Sequence, residues 1–186
     1  MFRIKGTDRG LTFEQVARRS ADLDGAGEHP GPSTFPSGCM ICEVEVDPAT
    51  GAVRVVSLAS VDDAGNIVNP LTFAGQLHGS SAQGLGEAIA EQVVYERDSG
   101  QLLTGSLSDY CMPRADDMPA IVSDVQPSAA TTNVLGVKGG SEAGNVGAPA
   151  AIINAIMDAL APLGVTDVPV PATAERIWRA IHGAVE

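Results

Sequence analysis

The segment Gly136-Val137-Lys138-Gly139-Gly140-Ser141-Glu142-Ala143-Gly144 sets flexible backbone N–H groups, one cation and one carboxylate just ahead of an apolar stretch. Such a run can cradle an anion beside an acid/base group. A plainer role is equally open to Glu142, which would complement the positive end of the following helix for about 0.3 to 1 kcal/mol. The residues by themselves do not choose between the two. Cys39-Met40-Ile41-Cys42 has the CxxC spacing of redox pairs and of half a zinc site. Yet Met40, Cys42, Val44 and Val46 alternate as one face of a strand, which turns Cys39 to the other face and keeps the two thiols apart. Cys111, His29, His78 and His182 show no metal-ligand spacing, so Cys39 and Cys42 read as buried strand residues. Gly84-Leu85-Gly86-Glu87-Ala88-Ile89 has Ile where the third Gly of a dinucleotide fingerprint belongs, and the run from Gly136 to Ser141 places its Lys too early for a P-loop. The pairs Asp62-Asp63 and Asp116-Asp117 read as loop acids, solvated or closing Asx turns.

The elements that must hold these residues are legible in outline. Thr12 and Gln15 stand at capping-box spacing at the head of a short helix reaching Arg19. From Ala21 to Pro36 the chain turns to Gly, Pro, Asp and Ser without periodicity, a linker. The expected organisation is therefore 1–33, an N-terminal helix and linker, and 34–186, the packed body. Cys42–Asp47 and Ala52–Leu58 predict a β-hairpin, and Pro70 opens a helix over Leu71–Gln92. Gly75, Gly79, Gly84 and Gly86 lie inside that helix at about 1 kcal/mol each, so a backbone or ligand should lie against the glycine face. Val93–Glu96 with Gln101–Thr104 predicts a second hairpin, and Ile121–Val125 a strand. Thr131–Gly147 reads as Gly-rich loop, Ala148–Leu160 as an apolar helix buried on most faces, and Thr173 as the cap of a last helix carrying Trp178. This order points to an α+β fold with β-hairpins and a mixed sheet packed with helices.

Composition narrows the class. The formal net charge is −12 with 44% hydrophobic and 18% charged residues, enough apolar matter for a core. That charge repels phosphate backbones and anionic lipid, so nucleic acid and membrane surfaces are poor partners. The start of the chain has no apolar signal region and no spanning run, which makes membrane insertion unexpected and a cytoplasmic location the expectation. Three cysteines do not describe a disulfide framework.

A family resemblance covers nearly the whole chain. Thr34-Phe35-Pro36-Ser37-Gly38, Glu43–Pro48, Ile67-Val68-Asn69-Pro70, Gly75–Gly79, Ala82–Ala88, Leu103–Asp117 and Leu135–Gly144 resemble, in order, motifs of the molybdopterin-binding large subunit of the molybdenum hydroxylases. These are the xanthine oxidase, aldehyde oxidase and aerobic carbon monoxide dehydrogenase enzymes, and the likeness is greatest to carbon monoxide dehydrogenase-type large chains. Only the C-terminal part of that subunit has a counterpart, which implies a fragment or separately encoded piece.

The resemblance implies part of an enzyme that oxidises carbon monoxide, an aldehyde or an N-heterocycle with water as oxygen source. Its cofactor would be molybdenum on molybdopterin, often as the cytosine dinucleotide, with FAD and 2Fe-2S clusters on partner subunits. Glu142 matches the catalytic glutamate, the base toward the attacking hydroxyl. Gln76 matches a pterin-contacting glutamine, Gln83, Lys138 and Gly139 fall in cofactor-lining motifs, and Asp63, Asn66 and Asn69 fall near the dinucleotide end. Gly140-Ser141 stands where an apolar residue and Gly are commoner. The implied partners are a polypeptide carrying the first molybdenum-binding domain and the FAD and iron–sulfur subunits. A homo-oligomer would use the face that the missing domain covers. The competing expectation is a non-catalytic remnant or interaction module that keeps the fold without cofactor.

Overall fold

The computed structural model describes residues 1–19, 24–28 and 31–183. Part of the expected linker, His29 included, lies outside the described residues. The chain divides into two compact units, Met1–Pro32 and Ser33–Glu186. In the first, β1 (Phe2–Arg3) pairs antiparallel with β2 (Gly10–Leu11), and α1 spans Phe13–Arg19. Its capping box forms as expected: the Gln15 N–H donates to Thr12 Oγ1 at 3.2 Å and the Thr12 N–H to Gln15 Oε1 at 2.9 Å.

The second unit is built on a hairpin of β3 (Ser37–Val46) and β4 (Val53–Asp63). Asp47 closes its turn, accepting from the Ala49 N–H at 2.9 Å and the Thr50 hydroxyl at 2.7 Å. Those bonds, the hydroxyl first, hold the Asp47 carboxyl below its ordinary range. Gly51 completes the turn at φ 73°, and a Cβ there would run into the Ala174 carbonyl. Gly51→Ala is therefore expected to cost about 1 to 3 kcal/mol in urea unfolding. Gly75→Ala, in a helix with no atom within 4 Å of the new Cβ, should instead gain up to about 1 kcal/mol. Equal unfolding midpoints for the two variants would contradict both assignments.

The strand reaches further than its sequence suggests. Asp62 and Asp63 are the last residues of β4, because Gly38 and Ser37 pair with them across the hairpin. On its other edge β4 pairs in parallel with β5 (Ala120–Val125), giving the mixed order β3-β4-β5. A parallel neighbour requires a long crossover, and α2 (Pro70–Ile89) lies within it. Asn69 caps α2 by accepting from the Thr72 N–H at 3.1 Å, and Pro70 stands in the first turn where its missing N–H costs nothing. The helix stops before Gln92 because the Ala90 and Glu91 N–H groups both turn back to the Gly86 carbonyl, at 2.9 and 2.7 Å. The second expected hairpin forms as a short one: Tyr95 bridges Leu102, the Glu96 N–H donates to the Gln101 carbonyl at 2.8 Å and the Leu103 N–H to the Val94 carbonyl at 2.8 Å. There the Val94 N–H goes to the Thr104 hydroxyl instead of a ladder carbonyl.

α3 spans Ala143–Leu160, so it begins five residues before the expected Ala148. Gly144, Gly147 and Pro149 read as breakers, yet Gly144 lies directly on Ser80 and Ser81 of α2 and Gly147 faces Met40. Such close packing offsets the propensity lost. α3 is also not buried on most faces: Gly144, Ala148, Ile152, Ile156 and Leu160 form one buried stripe, while Val146 is exposed. By length and composition alone Ala143–Leu163 could cross a membrane, but here its stripe joins the core with Leu58, Leu85, Ala88 and Ile177. The last helix, α4 (Ala174–His182), is capped by Thr173. Half of the glycine face of α2 meets protein, Gly84 against Ala148 and Pro149; the other half, Gly75 and Gly79, faces open space.

Met40, Cys42, Val44 and Val46 share the inner face of β3, as the alternation predicts. Cys39, however, is exposed on the outer face instead of buried. Burial, then the nearby Glu43, pushes the Cys42 thiol up to about 11, which leaves it a poor nucleophile.

Candidate functional site

Glu142 is held by two stretches distant in sequence that are laced together. Gly65 bridges to Val137, the Lys138 N–H donates to the Ala64 carbonyl at 2.9 Å, and the Asn66 N–H to the Gly136 carbonyl at 2.9 Å. The Asn66 amide donates to the Leu135 carbonyl at 2.7 Å, and Asn133 brackets Val137 from both sides. Gly136 allows the bend at φ 65°.

Lys138 Nζ then meets Asp63 Oδ2 at 2.6 Å, with both side chains largely buried. Asp63 Oδ1 also accepts from the Gly65 N–H at 2.8 Å and the Ser128 N–H at 2.9 Å. The Lys138 hydrogen bond first, and the Ser128 and Gly65 N–H groups after it, hold the Asp63 carboxyl down at about 2. A carboxyl depressed on folding stabilises the fold above its unfolded value and loses that contribution as pH falls through the folded one. Wild-type stability should therefore fall more steeply from about pH 4 to about pH 2 than that of Lys138→Met. Parallel pH profiles in denaturant titrations would refute the clasp.

Beyond the clasp the Gly139 N–H donates to Thr34 Oγ1 at 3.3 Å, and Gly140 packs on Phe73 and Ala64. Glu142 arrives as the N-cap residue of α3, exposed, with no side-chain hydrogen bond to the cap. Its carboxylate is not consumed in ending the helix.

Two hollows flank this loop. A cleft of about 410 Å³ is lined by Glu142, Gly139, Asp62, Gly38, Met40 and Val146 among others. A recess of about 330 Å³ is lined by Asn66, Asn69, Thr72, Gln76 and Lys138. Gly140 and Ser141 border both, so one stretch of backbone divides them.

The residues singled out from sequence thus fall in three places. Glu142 and Gly139 share the cleft. Asn66, Asn69, Gln76 and Lys138 share the recess, with Asp63 joined to it through Lys138. Gln83 stands apart in a groove with Gly79, Glu91 and Tyr110. Its amide donates to Glu87 at 3.0 Å and to the Asn145 carbonyl oxygen at 3.1 Å, while the Asn145 amide donates to Glu87, a network joining α2 to α3.

Asp62, which reads from sequence as a solvated loop acid, is instead a buried residue of β4. It is 5% exposed, lines the cleft, and has its Oδ2 buried without a hydrogen-bond partner. Hydropathy periodicity points the other way, since the polar Ser60 and Asp62 are buried while Ala59 and Val61 are exposed.

The chain matches a family model described as a molybdopterin cofactor-binding domain over residues 1–119. It is 34% identical to the gamma subunit of the 6-hydroxypseudooxynicotine dehydrogenase complex of Paenarthrobacter nicotinovorans, over 98% of this chain and 24% of that one. The nicotine 6-hydroxylase large subunit of the same organism is 40% identical over 82% of this chain and 18% of its own length. Among solved structures, carbon monoxide dehydrogenase from Oligotropha carboxidovorans superposes with a TM-score of 0.77 at 28% identity, covering 81% of this chain and 19% of that one. The chain spans a quarter or less of the length of these relatives.

Proposed function

Because the chain belongs to the molybdopterin cofactor-binding domain family found in molybdenum hydroxylase large subunits, we propose that it supplies one wall of such an enzyme's cofactor site, together with its base, Glu142. The assembly would oxidise a small molecule, carbon monoxide, an aldehyde or an N-heterocycle, with water as the oxygen source. The observation that carries this reading is the position of Glu142. Its carboxylate is unspent on the helix cap and stands in a cleft divided by a single stretch of backbone from a recess rich in polar groups.

The residues present fit the cofactor. Asn66, Asn69, Thr72 and Gln76 bring amides and a hydroxyl to the recess at the N-terminus of α2, where an anionic group finds the positive end of the helix. Gly139 lines the cleft with open room where a Cβ would stand. When bound, the molybdenum centre takes up the electrons that leave the substrate. Glu142 accepts a proton in the cleft. Gln76, Asn66 and Asn69 would hold the pterin and its dinucleotide extension, and the Asp63–Lys138 clasp fixes the backbone that leads into Gly139. Gln83 holds α2 to α3 behind it.

The rest of the site would come from a polypeptide with the first molybdenum-binding domain, and FAD and 2Fe-2S subunits would carry electrons onward in the cytoplasm. Val68 and Leu71, exposed beside the recess, are apolar surface that such a partner would cover. The isolated chain is expected to oxidise none of these substrates, since the positioning contacts of the first molybdenum-binding domain would be absent. Produced with its partners in a molybdenum-cofactor-competent host, it is expected to copurify with molybdenum. Turnover by the pure chain, or a complete complex free of molybdenum, would overturn the proposal.

A further inference from the structure

We propose that Asp62 makes the Glu142 cleft a receptor for a small cationic N–H donor with an apolar body, of the amidinium or protonated-amine class. Asp62 continues the inward face of β4, and its Oδ2 is buried without a partner while the residue lines the cleft. Across the hairpin it pairs with Gly38, where a Cβ would come within 2.5 Å of Asp62 Oδ1. Glycine at position 38 thus leaves the space that the carboxylate occupies.

An unpaired buried carboxylate oxygen is costly, and native structures rarely leave one unmet. Among the described residues lining the cleft, Asp62 and Glu142 are the charged ones, and both are acidic. An anion is opposed by both. A neutral ligand without N–H leaves Oδ2 unmet, whereas a cationic N–H donor supplies the missing hydrogen bond and offsets the charge. Met40, Val146 and Pro36 line the same cleft and can hold a ring or alkyl body. A volume of about 410 Å³ admits a one-ring molecule.

The inference rests on the proposed function for calling this ligand a substrate, but its test needs no molybdenum. Calorimetric titration of the 186-residue chain with benzamidinium chloride and with its neutral near-isostere benzamide compares the two ligand types. Benzamidinium is expected to bind about tenfold or more tightly than benzamide. Asp62→Asn should bring the two within about twofold of each other, and Glu142→Gln should keep a clear preference for the cation. Should Asp62→Asn fail to fold, amide chemical shifts of the unaltered chain decide: benzamidinium should move Gly38 and Asp62. Equal binding of both probes, a preference surviving Asp62→Asn, or shifts confined to other regions would overturn the proposal. Failure here leaves the Glu142 assignment intact, since that rests on turnover of the loaded assembly.

Discussion

Glu142→Gln in the complete assembly is expected to slow the chemical step by about 10² to 10⁴-fold at unchanged molybdenum content. Glutamine keeps the shape and can still hydrogen-bond, but it cannot accept a proton. The competing role, complementing the start of α3, predicts a stability loss of under about 1 kcal/mol and near-normal turnover. Since the Glu142 side chain makes no cap hydrogen bond, that role would rest on its charge alone. Molybdenum content and the rate of substrate-driven reduction, measured on one preparation, separate the two roles. A normal rate at full loading would remove Glu142 from the chemistry.

Ile152→Ala is expected to lower stability by about 2 to 5 kcal/mol. Ile152 is fully buried at the middle of the α3 stripe, among residues of β4, α2 and α4. Truncation removes its transfer energy and leaves a cavity that helices packed on a sheet close only in part. For a domain of this size each kcal/mol lowers Tm by about 2 to 4 °C, so calorimetry should register the loss clearly. The neighbouring Asn154, exposed on the same helix, is the control: Asn154→Ala should move Tm little. Similar melting of the two variants would mean that the stripe is not the core.

These outcomes bear on how much of the molecule its sequence discloses. Local signals were legible wherever a residue's partner lies a few positions away: the Thr12–Gln15 box, Pro70 opening α2, and Thr173 capping α4. The start of α3 was not, because the gain that outweighs two glycines and a proline comes from Ser80, Ser81 and Met40, distant in the chain. The same holds for the site. Motif resemblance pointed to Lys138 and Asp63 as separate cofactor contacts, whereas the fold binds them to each other across 75 positions. Asp62 was hidden for a related reason. Adjacent acids look solvated until a strand on each side of them shows that one is sealed in.

The backbone shared by the cleft and the recess also constrains how such a protein can change. A substitution at Gly140 or Ser141 is felt on both sides at once, and Gly140 has no room to give, being pressed on Phe73 and Ala64. Evolution or a designer seeking a new ligand therefore has its freest position at Val146, which is exposed and borders the cleft alone, since Gly38 has no room for a Cβ beside the buried Asp62. Ligand preference can drift there while the opposite hollow, and whatever it grips, is inherited unaltered.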